Sequence, residues 1–224
     1  MITTNSGYCF VDTETKAVSE FVTPDIGDLS VTRFNDGKTD PAGRFWAGTM
    51  DKRVSNPTGK LLCCEPDGTC TIKDTDLVIS NGMCWTQDNK TMYFIDSIPN
   101  VCYGYDYNME TGNISNRREA IKGESGCILD GMTIDANDNV WIALFHGWSI
   151  NHYNPQTGEL LRKVRMPVAR VTSCCFGGDD LLDLYITTAR AGEDETEGDP
   201  DPLAGSLFVM RAEVPGFVVP KFNK

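Results

Sequence analysis

Histidine is nearly absent from this chain. Its 224 residues include only His146 and His152. A zinc site built from imidazoles, or a serine, histidine and carboxylate triad, would depend on placing one of these two correctly. His146, beside Gly147 and Trp148, reads instead as a turn residue, and His152 as a surface or packing residue of an outer strand. Basic residues are also scarce, with 20 Lys and Arg against 32 Asp and Glu for a formal charge of −12. That balance repels phosphate backbones and anionic bilayers, which argues against nucleic acid or membrane partners. No apolar run approaches the roughly 18 residues of a membrane-spanning helix. The opening residues Met1 to Ser6 lack the basic and apolar parts of a secretory signal, so the expected location is cytoplasmic. Gly-x-Ser-x-Gly, His-Glu-x-x-His, Gly-x-x-x-x-Gly-Lys and Gly-x-Gly-x-x-Gly are all missing. The nine cysteines form no Cys-x-x-Cys, and two pairs are adjacent, Cys63-Cys64 and Cys174-Cys175. Neighbours on a strand face opposite ways, so reduced thiols are expected.

What the chain does have is turns and short strands. Asn35-Asp36-Gly37, Pro66-Asp67-Gly68, Thr111-Gly112-Asn113, Asp138-Asn139, Thr157-Gly158 and Gly177-Gly178-Asp179 separate runs rich in Val, Ile, Phe, Tyr, Trp and Thr. That alternation predicts an all-β protein of antiparallel strands without an amphipathic helix. A longer repeat overlies it. Asn35-Asp36-Gly37 leads to Phe45-Trp46-Ala47, Asn81-Gly82-Met83 to Tyr93-Phe94-Ile95, Asp130-Gly131-Met132 to Val140-Trp141-Ile142, and Thr172-Ser173-Cys174 to Leu184-Tyr185-Ile186. The starts are 46, 49 and 42 residues apart, the period of a four-stranded β-propeller blade. An outer half-blade repeats as well: Val101 to Asp106 before Thr111-Gly112 matches Ile150 to Asn154 before Thr157-Gly158. Before residue 30 only two outer strands are expected, near Tyr8 to Val11 and Val18 to Val22. The expectation is therefore one incomplete propeller domain over residues 1–224, with about four and a half blades.

Propeller geometry turns the repeat into a functional statement, because inner strands line a central channel. Asn35, Asn81, Asp130 and Thr172 then point toward one axis. Two amides, a carboxylate and a hydroxyl offer the oxygen ligands that hard divalent cations prefer. Asp130 and Asn81 each have an alternative as Asp-Gly and Asn-Gly turn residues. Their shared register favours the channel. Arg33, in Arg33-Phe34-Asn35-Asp36-Gly37-Lys38, is either a substrate-binding guanidinium or a strand end ion-paired to a neighbouring blade. Asp40 and Asp96 fit blade-to-blade hydrogen bonding. The acidic run 193–201 reads as a solvated loop. Asp135-Ala136-Asn137-Asp138-Asn139 lacks the glycine and closing glutamate of a calcium loop.

The segments Arg33 to Lys38, Ala47 to Met50, Ile79 to Gly82, Ile114 to Arg118, Asp130 to Met132 and Val171 to Gly178 together resemble the gluconolactonase and luciferin-regenerating enzyme family of six-bladed propellers. The resemblance implies a divalent-metal-dependent lactonase that opens sugar lactones, with one bound Ca²⁺, Zn²⁺, Mn²⁺ or Mg²⁺. It implies metal ligands at Asn81 and Asp130, substrate contacts at Arg33 and Asn35, and Asp130 as the catalytic carboxylate. Two departures accompany it. The family's first-blade glutamate, in a Gly-Glu-x-Pro-x-Trp context, has no counterpart here, and the family's substrate-contacting glutamate after Met50 is replaced in Asp51-Lys52-Arg53 by Arg53. These leave open a non-catalytic calcium-binding or regulatory protein, or an inactive shortened form.

Overall fold

In a computed structural model, described for residues 1–5, 7–190 and 202–223, five antiparallel sheets follow one another along the chain. Blade 1 holds β1 (Ile2–Thr3), β2 (Tyr8–Val11) and β3 (Val18–Val22). Blade 2 holds β4 (Thr32–Thr39), β5 (Phe45–Asp51), β6 (Gly59–Cys64) and β7 (Cys70–Leu77). Blade 3 holds β8 (Ser80–Trp85), β9 (Thr91–Asp96), β10 (Val101–Asn108) and β11 (Asn113–Lys122). Blade 4 holds β12 (Ile128–Ile134), β13 (Val140–Phe145), β14 (Ser149–Asn154) and β15 (Glu159–Arg165). Blade 5 holds β16 (Val171–Gly177), β17 (Asp183–Thr188) and β18 (Phe208–Arg211). The all-β propeller expected from the repeat is present, as five sheets rather than four and a half blades. Blade 1 has a short strand, Ile2–Thr3, ahead of the two expected there. The acidic run 193–201 lies outside the described residues.

Strand position within a blade decides composition. The second strands β5 and β9 are buried almost throughout, because each sheet is sandwiched between its neighbours. The outermost strands β11 and β15 are exposed along most of their length and carry Arg117, Arg118, Arg162 and Lys163, charges that discourage pairing at a free edge. Each interface between consecutive blades has its own apolar cluster. Tyr8, Phe34 and Leu62 join blades 1 and 2, and Trp46, Met83 and Phe94 join blades 2 and 3. Leu129 and Ile142 pack on Ile95 between blades 3 and 4, and Trp141 and Ile150 pack on Leu184 between blades 4 and 5.

A buried carboxylate reinforces one of these boundaries, and two others brace single blades. Asp40, fully buried, accepts from Arg44 Nε at 2.8 Å, Trp46 Nε1 at 2.9 Å and Tyr107 Oη at 2.7 Å, tying blade 2 to blade 3. Asp96 instead holds the entry to its own blade, accepting from the N–H groups of Val78 and Ile79. Asp135, in the segment that lacked a calcium-loop pattern, accepts from the N–H groups of Asn137 and Asn139 and from His152 Nε2 at 2.7 Å. His152 is thus a packing residue with a specific partner, and it stacks on Trp141 with ring centroids 4.2 Å apart. His146 sits in the β13–β14 turn with φ of 63°.

Beyond β18 the chain runs past blade 4 to blades 1 and 2. Gly216 bridges to Asp135, Phe222 packs on Phe10 and Phe21 of blade 1, and Asn223 bonds to Ala42 and Gly43 of blade 2. One expectation fails in blade 2. Cys64 and Cys70 face each other across the β6–β7 hairpin with Cα atoms 4.1 Å apart and form a disulfide, while Cys63 stays a buried free thiol. Adjacent residues do point to opposite faces; what composition lacked was the cross-strand register that brings Cys70 opposite Cys64.

Candidate functional site

The inner strand of each of blades 2 to 5 carries a β-bulge at the same place. Regular pairing breaks between Phe34 and Gly37, Ser80 and Met83, Leu129 and Met132, and Val171 and Ser173. A bulge sets two residues against one on the partner strand and re-aims their side chains. The residues inside these irregularities are Asn35 and Asp36, Asn81 and Gly82, Asp130 and Gly131, and Thr172. The repeated polar position read from the sequence is therefore a repeated backbone device. Glycine follows at 82 and 131 because the next blade is too close for a side chain. A Cβ at Gly82 would stand 2.5 Å from Met132 N, and one at Gly131 2.2 Å from Ser173 Oγ.

These devices converge on a cavity of about 390 Å³ at the centre of the array. Arg33, Asn35, Asn81, Asp130 and Thr172 all line it, so every sequence-predicted site residue reaches one space. Asp36 lines it as well, and the sequence reading missed it. Aligning the four bulges would have revealed it, since Asp36 shares its place with Gly82, Gly131 and Ser173 and is the charged member of that set.

A directed hydrogen-bond chain runs across three blades. Arg33 Nη1 donates to Asn35 Oδ1 at 2.9 Å, Asn35 Nδ2 to Asn81 Oδ1 at 3.1 Å, and Asn81 Nδ2 to Ser97 Oγ at 2.8 Å. Ser97 Oγ closes it by donating to Leu129 O at 2.6 Å, next to Asp130. Asn35 Nδ2 also donates to Ser80 O at 2.8 Å. The chain fixes both amide orientations, so Asn81 Oδ1 keeps its second lone pair while its N–H groups face Ser97. Thr172 Oγ1 pairs with Thr187 Oγ1 at 2.8 Å.

The electrostatics set the two sides of the cavity apart. Asp130 and Asp36 open into the cavity but are shielded from bulk water by the blades. Burial, with the Asp36 charge adding to it and the Gly131 N–H offsetting part, pushes the Asp130 carboxyl up to about 7. Burial likewise raises Asp36, against the opposing effects of Lys38 and the Gly37 N–H. Lys38 Nζ itself is bonded to Met132 O at 2.8 Å. Neither carboxylate forms a salt bridge among the described residues. Two under-compensated carboxylates and a fixed amide oxygen form a donor set that fits a hard, oxygen-preferring cation completed by water. Among the described residues no group of three or more His, Cys, Asp or Glu is arranged to hold a metal.

Arg33 settles one of the alternatives left by the sequence. Among the described residues it forms no ion pair to a neighbouring blade; its bonds run to Phe34 O at 2.8 Å and to Asn35. Burial pulls its guanidinium below the ordinary value, with no carboxylate to oppose the effect. Arg53 lies exposed in the turn after β5, its N–H bonded to Asp51 Oδ1.

Comparison with known proteins agrees with this architecture. Residues 1–190 match the family model described as the SMP-30/Gluconolactonase/LRE-like region. Regucalcin of Danio rerio is 39% identical over 211 residues, covering 93% of this chain and 71% of that protein. A luciferin-regenerating enzyme structure superposes with a TM-score of 0.85 at 33% identity, over 93% of this chain and 70% of its own. A calcium-binding protein, regucalcin from Agrobacterium tumefaciens, superposes with a TM-score of 0.89 at 26% identity, over 98% of this chain and 74% of its own.

Proposed function

The chain belongs to the SMP-30/gluconolactonase/LRE-like family, and from that premise we propose that its central cavity hydrolyses sugar lactones of the gluconolactone type with the help of one divalent cation. The observation that carries this reading is the convergence of Asn35, Asn81 and Asp130 from three successive bulges on one cavity. A volume of about 390 Å³ falls in the range of small-molecule sites.

The cation would be held by the Asp130 carboxylate and Asn81 Oδ1, with Asp36 as a further carboxylate lining the same cavity. Oxygen donors without histidine or cysteine favour Ca²⁺, Mg²⁺ or Mn²⁺ over Zn²⁺. When bound, such an ion supplies charge stabilisation to a carbonyl oxygen that becomes anionic. The chain's own residues do the rest. Both N–H groups of Asn35 are committed to Ser80 O and Asn81 Oδ1, so its free valence toward a sugar is as an acceptor for a hydroxyl proton. Arg33 uses Nη1 for both of its internal bonds and keeps Nη2 and Nε for donation to substrate. Hydrolysis places a water oxygen on the carbonyl carbon, breaks the acyl bond to the ring oxygen, and delivers a proton to that leaving oxygen. Asp130 is the group that takes the proton from water.

The test is release of acid from glucono-1,5-lactone by the purified chain, with Ca²⁺, Mg²⁺, Mn²⁺ or chelator, beside Asp130→Ala. Turnover that needs the cation and vanishes in the variant supports the reading. Absence of turnover from folded protein overturns it. A second reading, calcium binding without turnover, is favoured by the same pair of carboxylates. It predicts calorimetric Ca²⁺ binding, lost in Asp130→Ala, from a chain that hydrolyses nothing.

A further inference from the structure

We infer that Lys38 is a positioning residue for the cation site: its ammonium is fixed across the central channel as a built-in counter-charge, and it holds the affinity for a divalent ion below what Asp36 and Asp130 would otherwise give. This rests on the cation-dependent reading above and deepens it by naming the group that tunes the site.

Beyond their bulges the inner strands run on into a second layer of the channel. Three positions after Asn35, Asn81 and Asp130 stand Lys38, Cys84 and Thr133. At a rise of about 3.3 Å per residue this layer lies roughly 10 Å further along the strands. The three residues meet at a small apolar cavity of about 40 Å³, which Phe217 and Pro220 of the C-terminal segment also line. Lys38 is the charged member of the set. Its Nζ reaches past blade 3 and donates to Met132 O of blade 4 at 2.8 Å, joining residues 94 positions apart. Met132 lies two residues after Asp130 on the same strand, so the bond braces the bulge that carries the catalytic carboxylate.

The charge of Lys38 is felt around the ring. It opposes the burial that raises the Asp36 carboxyl in blade 2 and the Cys84 and Cys174 thiols in blades 3 and 5. Lys38 is half-buried and forms no salt bridge among the described residues. The charged groups that line the central cavity are Arg33, Asp36 and Asp130, and Lys38 lies one layer beyond. Two cations thus balance two carboxylates through space rather than by contact. In a channel shielded from bulk water such charges act on one another more strongly than in solvent. The affinity of a hard-cation site follows the charge of its ligands. Lys38 therefore repels a divalent ion at the carboxylates, and it can retreat only by giving up Met132 O.

The experiment is calorimetric titration with Ca²⁺ at one fixed pH, in the chain and in Lys38→Gln, Lys38→Met and Lys38→Arg. The Gln variant keeps a donor for Met132 O without the charge, the Met variant keeps neither, and the Arg variant keeps both. The Gln and Met variants should bind Ca²⁺ about ten-fold or more tightly than the wild type, with the Arg variant within about three-fold of it. A purely structural brace gives another order, with the Met variant weaker than the wild type and the Gln variant unchanged; that order overturns the inference. A second readout needs no cation and no variant of the braced bond. In protein labelled with ¹⁵N-lysine, the Lys38 ammonium should give an N–H signal that exchanges slowly with water and moves in Asp36→Asn. An ammonium exchanging as fast as those of surface lysines overturns the inference even where the Lys38 variants fail to fold. Ca²⁺ binding by the wild type with no gain in Lys38→Gln sinks the inference alone. No binding by any of these proteins sinks the cation reading and the inference with it. Binding confined to the uncharged variants upholds the inference and leaves the natural chain without the cation that its lactonase reading needs.

Discussion

Asn35 Nδ2 donates to Asn81 Oδ1 at 3.1 Å across the boundary between blades 2 and 3, joining two residues 46 positions apart that occupy the same place in successive repeats. The bond sets which amide atom of each faces the cavity. Without it Asn81 could rotate its N–H groups toward Asp130 and withdraw its oxygen. Replacing Asn35 with Ala removes the donor for both Asn81 Oδ1 and Ser80 O, a loss of about 1–3 kcal/mol where acceptors are left unsatisfied. Cation affinity should fall with stability in Asn35→Ala, measured by calorimetry and urea denaturation. Unchanged cation affinity would show that the Asn81 orientation is set by Ser97 alone.

Asp130 should make the metal-free protein unusually sensitive to pH. Its carboxyl is held up at about 7 when folded, against an ordinary 3.8. The folded state therefore binds more protons than the unfolded chain in that interval. The stabilising contribution is complete below about pH 4 and is lost as pH rises through about 7. The urea midpoint of chelator-treated protein should decline across this window, and Asp130→Asn should flatten the decline. Added Ca²⁺ should stabilise strongly at pH 7.5 and little at pH 5, because proton and cation compete for one carboxylate. A wild-type slope no steeper than that of the variant would refute the assignment.

Gly82 couples the backbone of one blade to the site residue of the next. A Cβ there would stand 2.5 Å from Met132 N and 2.9 Å from Asp130 O, both backbone atoms that cannot swing aside. Gly82→Ala should cost about 1–3 kcal/mol as overpacking. The strain falls on the Asp130 bulge, so lactone hydrolysis should drop by roughly ten- to a hundred-fold as the carboxylate shifts. Full activity in a destabilised Gly82→Ala protein would show that the bulge tolerates displacement.

Much of this architecture is legible in the sequence because the blade repeat is long and its inner strands are marked twice, by a polar residue at the bulge and by the apolar second strand that follows. Asn81 and Asp130 declare each other through that register; neither would stand out alone. Asp36 was harder to read because Asp-Gly is also ordinary turn chemistry, and only the bulge reveals that positions 35 and 36 both open inward. Ile2–Thr3 was missed because two residues show no periodicity. The turn at Arg53 depends on how Asp51 spends its oxygens on Arg53, Ser55 and Asn56, and the direction of Arg33 on its bonds to Phe34 O and Asn35 Oδ1, tertiary details that composition does not carry.

Asp40 tests the boundary between blades 2 and 3 without touching the cavity. Asp40→Ala would strand the Arg44 guanidinium, whose residue is 3% exposed, and leave Trp46 Nε1 without its acceptor. Removing one partner of a buried ion pair costs about 3–5 kcal/mol. Glu65, 3.7 Å from Arg44 Nη1, offers weak relief and should bring the loss toward the lower end. Urea denaturation should show this loss, while the residual folded protein keeps its cation affinity. A loss below about 1 kcal/mol would mean that Glu65 takes over the pairing.

The Cys64–Cys70 bond should stabilise the outer half of blade 2 and leave the chemistry alone. It closes a loop with a sequence separation of 6, for which constraint of the unfolded chain is worth about 2 kcal/mol. Cys64 packs in the cluster shared with blade 1, beside Tyr8, Phe34 and Leu62, so a weaker hairpin loosens that interface. The central cavity is lined from other strands of the blade, by Arg33, Asn35, Asp36 and Met50. Cys70→Ser should therefore lower the thermal midpoint in oxidising buffer with little change in kcat/KM. Dithiothreitol should bring the wild type down to the same midpoint and leave the variant where it was. If reductant destabilised Cys70→Ser by the same amount, its effect would arise from another thiol, and the hairpin bond would contribute nothing measurable.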